Sequence, residues 1–136
     1  MSEGLFIPRE WIPTLATAAA VINLVPIAAG VGFLFRPAAA LPALGFDEPS
    51  NPRDQRLVDG LVQMYSVRQV AGGLGGIILW FFGAYRPMGW TMLVTGGLIA
   101  VTDGLVAKKT TGKHVMTHWA AVPVSVFFGA SLAGFI

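Results

Sequence analysis

The chain has 136 residues, of which 54% are hydrophobic and only 12% are charged. A soluble domain typically carries about twice that charged fraction, so the composition is that of a membrane protein with little room for a soluble domain. Cysteine is absent from the sequence, which excludes disulfide bridges and thiolate metal sites. The net charge of +2 comes from basic residues scattered over the loops, so the sequence predicts basic anchors beside a bilayer and no nucleic-acid binding.

Four apolar blocks are long enough to cross a bilayer core of about 30 Å, which takes roughly 20 residues of helix. The sequence therefore predicts a single all-α domain over residues 1–136, a four-helix transmembrane bundle. The first block is too long for a signal peptide and lacks a basic leader, so it is predicted as a membrane span. The predicted spans are residues 11–35, 57–85, 88–107 and 115–136.

The first span is predicted to begin at Trp11 and to bend at Pro26, because tryptophan favours the headgroup layer and proline removes a helical hydrogen bond. Residues 36–46 are too short to cross the bilayer and predict a loop or a short helix on its surface. Asn51 is a candidate N-cap with Pro52 at the first helical position. The second helix is thus predicted to begin outside the bilayer.

Arg86 and Pro87 predict a tight hairpin between the second and third spans. Basic residues in short loops favour the cytoplasmic side. Segments 36–56 and 108–114 contain six of them, and the other end of the bundle contains two. The sequence therefore predicts a multi-pass protein of the endoplasmic reticulum, with both of these loops cytoplasmic and both termini on the far side. The six are Arg36, Arg53, Arg56, Lys108, Lys109 and Lys113, and the two are Arg9 and Arg86.

Each predicted span contains polar residues that share a helical face with small ones, counted at 3.6 residues per turn. Small residues mark the surfaces where membrane helices pack closely, so the polar groups are predicted to point into the bundle. The faces are Asn23 with Ala16, Ala19, Ala20 and Gly30; Tyr65 and Arg68 with Gln69, Gly72 and Gly76; Asp103 with Gly96, Ala100 and Ala107; and His118 with Ser125 and Gly129.

An ionisable group inside a membrane costs about 3 kcal/mol on insertion scales, so several that converge on one cavity favour a functional site. A carboxylate beside an arginine keeps its charge and orients water, and a histidine or a tyrosine supplies a proton. The predicted roles are Asp103 as general base, Arg68 as its charge partner, His118 or Tyr65 as acid, Asp59 as a secondary catalytic residue, and Asn23, Gln63 and Gln69 as substrate contacts.

Structural roles are open alternatives for each of these residues. The Gly72-xxx-Gly76 and Gly96-xxx-Ala100-xxx-Gly104 patterns are typical of helix packing. Asn23 is typical of a hydrogen bond between helices. Asp59 fits a cap or an anchor equally well, His118 fits an interfacial histidine, and Arg68 with Asp103 fits a purely structural ion pair.

No metal and no cofactor are predicted. His114 and His118 are spaced to share one helix face, and Asp103 could add a third ligand, but the set lacks a further ligand and His114 lies at the membrane edge. The glycine cluster has no nucleotide-binding fingerprint around it. The sequence thus predicts a cofactor-free membrane enzyme, a hydrolase, cyclase or isomerase, that acts on a lipophilic small molecule entering from the bilayer.

One family resemblance covers most of the chain. Phe35-Arg36-Pro37, Tyr65-Ser66-Val67-Arg68, Asp103 and His118 resemble the pattern of small four-helix membrane proteins of fungi that form a domain-of-unknown-function family. Proteins of that kind occur in secondary-metabolite pathways, so the resemblance implies Tyr65, Arg68, Asp103 and His118 as residues of interest. More distantly, the chain resembles the membrane hydrolases or cyclases of fungal polyketide pathways that open epoxides.

Two further classes of function are alternatives to an enzyme: a small transporter subunit and a structural or assembly protein. The expected partners are the lipid bilayer, a lipophilic substrate and, in one alternative, a second copy of the chain. Soluble epoxide hydrolases of the limonene type activate water with an Asp–Arg–Asp set. Asp59, Arg68 and Asp103 supply the same residue types on an unrelated fold, so this is a chemical analogy.

Overall fold

The computed structural model describes residues 7–136, which form helices and no strand. A 3-10 turn at Arg9–Trp11 leads into α1, Ile12–Phe35. The next helices are α2, Pro37–Leu44, and α3, Pro52–Phe81. Helix α4, Tyr85–Thr91, continues through a π turn at Met92–Gly96 into α5, Gly97–Thr110, and the last helix is α6, Val115–Ala133. The predicted far-side position of residues 1–6 lies outside the described residues.

Three helices are long and apolar enough to cross a membrane: Arg9–Phe35, Tyr85–Thr110 and Val115–Ala133. The predictions of an all-α chain and of a multi-pass membrane protein are thus confirmed in outline. With Tyr85–Thr110 counted as one helix, residues 7–136 form five helices rather than four, because residues 37–44 make the separate helix α2. Helix α3 is the longest, with 30 residues, but its polar first half keeps it out of the apolar set.

The ends of α3 are set by local sequence. The Asn51 side chain accepts a hydrogen bond of 2.9 Å from the Asp54 N–H, and Pro52 is the first helical residue, so the predicted cap is confirmed. After α3 the chain turns at residues 82–84, where Gly83 has φ +66°. The observed turn therefore lies N-terminal to the hairpin predicted at Pro87. Pro87 lies in the first turn of α4, where a proline is tolerated.

Helices α1 and α3 form the most extensive contact in the structure. The predicted face of α1 is confirmed, because its buried residues are the ones that share a face with Asn23. The buried face of α3 is rotated from the predicted one. Gly72 has open space around it, whereas a Cβ atom on Gly73 would lie 2.5 Å from Ile27 Cγ1. The prediction that Gly72 packs is wrong, and the packing residues of the pair are Ala16, Ala19, Ala20 and Gly30 on α1 and Val62, Ser66, Gly73 and Gly76 on α3.

A second hairpin consists of α4, the π turn and α5 packed against α6. Small residues again set the spacing. A Cβ on Gly96 would lie 2.9 Å from Ser125 Oγ, and the Trp119 indole covers Gly104. Ala100 is buried between these positions. The predicted packing role of Gly96, Ala100 and Gly104 is therefore confirmed.

The two hairpins meet at their ends. At the end that carries Gly83, hereafter the Gly83 end, Met88 is fully buried against Ala16, Ala19 and Leu132. At the other end, hereafter the loop end, Lys113 Nζ lies 3.6 Å from Asp47 Oδ1, so the two predicted loops do lie together.

Between these ends, α5 packs on α6 and makes no substantial backbone contact with α1 or α3 across the described part of the chain. The space between α3 and α5 is here called the interhelical cleft.

Candidate functional site

An ion pair crosses the interhelical cleft. Nη2 of Arg68 on α3 lies 3.4 Å from Oδ1 and 3.4 Å from Oδ2 of Asp103 on α5. The Arg68 side chain is 47% exposed and that of Asp103 is 19% exposed. The predicted partnership of these two residues is therefore confirmed, and it links two helices that have almost no other contact.

The pair is loose. Charge-assisted N–H···O bonds are typically about 2.7–2.9 Å long, and the strongest arginine–carboxylate pairs use two nitrogens side by side. Here one nitrogen serves both oxygens of Asp103. Within residues 7–136, Nε and Nη1 of Arg68 make no hydrogen bond. Those two nitrogens remain free to donate to an oxygen that enters the cleft.

Tyr65 and Gln69 complete the polar cluster on α3. The Arg68 guanidinium lies 5.0 Å from the centroid of the Tyr65 ring, which holds it by a cation–π contact. The Gln69 amide donates a hydrogen bond of 2.6 Å to the Tyr65 hydroxyl oxygen. Since a hydroxyl group both accepts and donates, the Tyr65 O–H is left to donate to another acceptor.

Asp59 is not part of this cluster. Its carboxylate accepts a hydrogen bond of 2.8 Å from the Gln55 amide, one turn earlier on α3. From Asp59 to Arg68 is nine positions, which is about 180° around a helix and about 13.5 Å along it. The Asp59–Arg68–Asp103 set of the chemical analogy is therefore not assembled in the structure.

Gln63 also points away from the pair. It is exposed, and it lies five positions before Arg68, about 140° around the helix. Of the residues predicted as substrate contacts, Gln69 alone lies in the cluster.

The arrangement is an ion pair between two helices, and the sequence that forms it matches a protein-family profile. The profile of a family described as Domain of unknown function (DUF4267) matches residues 23–132. The chain belongs to the DUF4267 family. The expectation of a domain-of-unknown-function family is confirmed to that extent, and the matched region contains all the residues predicted as a site. Neither a curated protein nor a solved structure matches the chain.

Asn23, the first residue of the DUF4267 region, lies in the contact between two helices. Its side-chain amide donates a hydrogen bond of 2.9 Å to the Ala19 carbonyl. A Cβ on Gly76 would lie 2.6 Å from Asn23 Nδ2, so the amide packs directly on that glycine. Gly76 lies eight positions after Arg68, about 12 Å further along the helix. The structure thus places Asn23 at the contact between α1 and α3 and not beside the ion pair.

His118 is half-buried on α6, next to the tryptophan that covers Gly104. No hydrogen bond or ion pair joins it to Arg68 or Asp103 within the described part of the DUF4267 chain. His114 precedes α6 in a left-handed conformation with φ +55°. In the described range no group of three or more His, Cys, Asp or Glu residues is placed to hold a metal ion.

Part of the α3 wall of the cleft is apolar. Leu61 is 56% exposed on the same face of α3 as Arg68. A cavity at the Gly83 end is lined by Arg9 and Arg86, and another at the loop end is lined by Asp47 and Lys113. Neither is lined by Tyr65, Arg68, Asp103 or His118. The polar cluster of this DUF4267 chain therefore lies in an open cleft and not in an enclosed cavity.

Helix α3 contains a double-glycine pattern. Gly72-Gly73 and Gly75-Gly76 each offer one glycine to α1 and leave the other with open space around it. Gly72 and Gly75 lie three positions apart, on the flank of α3 that carries Arg68. The repeat of two adjacent glycines at a spacing of three is the sequence signal that would have found this surface.

Proposed function

We propose that this DUF4267 protein binds a lipophilic small molecule in the interhelical cleft and acts on it by acid–base chemistry without a cofactor. The observation that carries the proposal is the loose ion pair between Arg68 and Asp103 across the interhelical cleft. An ion pair that served only to join two helices would be expected to have short N···O distances and bidentate geometry. This one leaves two guanidinium nitrogens and the Tyr65 hydroxyl hydrogen without acceptors among residues 7–136.

In this proposal α3 is the fourth helix embedded in the membrane. It packs along most of α1, which is itself long and apolar enough to span. The cost of placing Arg68 in the bilayer, about 3 kcal/mol on insertion scales, is offset by Asp103 and by the Tyr65 ring. Helix α3 is therefore stable in the bilayer as a partner of α1 and α5 and not as an isolated span.

Hydrolysis of a lipophilic epoxide illustrates the chemistry. Asp103 takes a proton from a water molecule, whose oxygen forms a bond to one epoxide carbon while the carbon–oxygen bond of the ring breaks. Tyr65 donates its proton to the departing oxygen, and Arg68 stabilises the negative charge on that oxygen. The proton on Asp103 then returns to the tyrosinate through water. The product is a diol, and both side chains recover their starting state.

The same groups support two related reactions. If a hydroxyl of the substrate replaces the water molecule, the product is a cyclic ether. If Asp103 removes a proton from carbon and Tyr65 returns one elsewhere, the result is an isomerisation. The resemblance to fungal proteins of secondary metabolism favours this range of reactions. The excess of basic residues at the loop end favours a cytoplasmic location for that end, and we propose the endoplasmic reticulum as the membrane.

The test uses purified protein in lipid nanodiscs, a panel of lipophilic epoxides and water labelled with oxygen-18. Mass spectrometry then detects one heavy oxygen in each diol. Turnover is expected to fall at least about a hundredfold in Asp103→Asn, in line with the usual contribution of a general base. Tyr65→Phe and Arg68→Gln are expected to lose activity as well.

Asp59→Asn is the matched control for Asp103→Asn, because it removes a carboxylate from the face of α3 opposite Arg68. Full turnover in Asp103→Asn would refute the role of that residue. An equal loss in Asp59→Asn would show that the effect is not specific to the cleft. If the wild-type protein converts no member of the panel, the proposed epoxide reaction is wrong.

Self-association is a second candidate function, favoured by the exposure of Arg68. A guanidinium that is 47% exposed needs cover within a bilayer, and a second copy would supply it. Gly72 and Gly75 leave room on the same flank for another helix to approach. Because the chain has no cysteine, Gly72→Cys provides a single site for cross-linking. Gly32→Cys is the control, since Gly32 also has open space but lies on α1. Cross-linking at position 72 alone would support this function over ligand binding.

A further inference from the structure

A cavity of about 480 Å³ lies at the Gly83 end of the bundle, away from the cleft. The three helices that can cross a membrane begin or end at this level, at Arg9, Tyr85 and Ala133. The cavity is therefore at the position where helices leave the hydrocarbon layer. Its volume falls in the range of pockets that take small molecules, roughly 300–1,000 Å³.

The cavity has a positive charge, because two arginines line it. They are Arg9 and Arg86, and Tyr85 belongs to the same lining. Neither arginine forms an ion pair with a carboxylate within residues 7–136. Arginine is suited to phosphate and carboxylate because its planar group offers several donors in a fixed geometry.

The end of α6 also lines the cavity, and its carbonyl groups could be the partners of these arginines. Two of those carbonyls already have partners, however. The N–H groups of Gly134 and Phe135 donate to the Ala130 carbonyl at 3.1 and 2.9 Å, and the Gly134 N–H also lies 3.3 Å from the Ser131 carbonyl oxygen. The left-handed Gly134, with φ +87°, makes this closure possible. The carbonyl groups of Ala130 and Ser131 therefore have backbone partners and do not depend on the arginines.

Aromatic side chains surround this end of the bundle. Trp11 is 55% exposed, Trp90 is 45% exposed and Phe82 is 76% exposed. Tryptophan favours the headgroup layer of a membrane, so this end is expected to lie in that layer. A ligand of the cavity would then have a charged group among the arginines and apolar chains beside the aromatic residues.

We propose that the cavity at the Gly83 end binds the phosphate group of an anionic phospholipid through Arg9 and Arg86. Phosphate can also come from a soluble molecule, and the aromatic surround favours the lipid. The inference does not depend on the chemistry proposed for the interhelical cleft, which lies on the other side of the Met88 core.

The experiment uses the full chain in neutral detergent micelles. Phosphatidic acid is titrated in, with phosphatidylcholine as the comparison lipid, and binding is followed by the fluorescence of the nearby tryptophans and by native mass spectrometry. The affinity for phosphatidic acid is expected to fall about tenfold in Arg86→Gln and in Arg9→Gln, the low end for loss of a hydrogen bond to a charged group. Arg53→Gln makes the same charge change at the loop end and is expected to bind as the wild type does.

Circular dichroism checks that each variant is folded. If Arg86→Gln does not fold, Arg86→Lys takes its place, and it is expected to weaken binding because lysine lacks the planar donor group. Displacement of the lipid by glycerol phosphate would assign the site to a soluble phosphate, and no displacement would assign it to the lipid. Equal affinity for both lipids, or equal binding by Arg53→Gln and the cavity variants, would overturn the proposal.

Discussion

Replacement of two adjacent glycines in α3 by alanine is expected to give very different results. A Cβ on Gly73 would lie 2.5 Å from Ile27 Cγ1 and 2.6 Å from the Asn23 carbonyl oxygen. Ordinary contacts of this kind are about 3.5–4.0 Å long. The Ile27 side chain can rotate away, but the carbonyl belongs to the backbone of α1. Gly73→Ala therefore forces α1 and α3 apart by about 1 Å at the centre of their contact.

The expected cost of Gly73→Ala is about 1–3 kcal/mol, the usual range for one carbon too many in a packed interface. Gly72→Ala is expected to stay within about 0.5 kcal/mol of the wild type, because nothing lies within 4 Å of its Cβ position. The higher helix propensity of alanine has little effect on the expected change in the free energy of unfolding of either variant. Membrane helices stay helical when they separate. Alanine therefore stabilises the helix by a similar amount in the packed and in the separated state.

The assay is unfolding of the protein in mixed micelles by increasing sodium dodecyl sulfate. Tryptophan fluorescence is a suitable probe, because Trp80 Nε1 on α3 donates a hydrogen bond of 3.1 Å to Thr17 Oγ1 on α1. Separation of the two helices breaks that bond. If Gly72→Ala were the more destabilising variant, the face of α3 that packs on α1 would be the one predicted from the sequence, and the observed register would be wrong.

Three further predictions concern stability. Asn51→Ala removes the cap of α3 and is expected to cost about 1 kcal/mol, measured in the same unfolding assay, whereas Asn51→Asp is expected to keep most of the cap. Gly104→Ala is expected to displace the indole of Trp119, which would shift its fluorescence spectrum even without denaturant; an unchanged spectrum would contradict the contact. A double-mutant cycle with Arg68→Gln and Asp103→Asn is expected to give a coupling energy of about 1 kcal/mol, because the pair is loose and partly exposed, and a coupling near zero would show that the two charges act independently.

The sequence predicts the face of α1 and the Arg68–Asp103 pair well, for physical reasons. On α1 the polar Asn23 shares one face with Ala16, Ala19, Ala20 and Gly30, and the period of the helix identifies that face as the buried one. Arg68 is a charge in an apolar segment, and Asp103 is an acidic residue late in the third predicted span. The cost of an unpaired charge in a membrane makes the partnership of the two favourable.

The face of α3 could not be predicted in the same way. In Gly72-Gly73 and Gly75-Gly76, adjacent glycines lie about 100° apart on the helix. Their pattern fits two neighbouring faces equally well, and only the position of Asn23 on α1 decides between them. The π turn at Met92–Gly96 likewise depends on contacts from another helix, since Leu93 packs against Gly129.

For Asp59 the spacing was available in the sequence. Nine positions from Arg68 lead to the opposite side of a helix, so the period excludes a shared site for these two residues. Similarity of residue type to a known catalytic set does not change this spacing. His118 differs, because its distance from Asp103 depends on how α5 and α6 pack, and the period of a single helix does not give that.

The polarity of α3 has a consequence for the way the chain enters a membrane. During synthesis α1 leaves the ribosome first and can partition into lipid alone. Helix α3 follows with Arg68 and two glutamines in its centre, and it has no acidic partner until α5 is made. If α3 is embedded as proposed above, it is expected to remain at the insertion machinery, held beside α1 by the glycine contacts, until Asp103 is made. Insertion of this protein is thus expected to be a concerted event of the two hairpins.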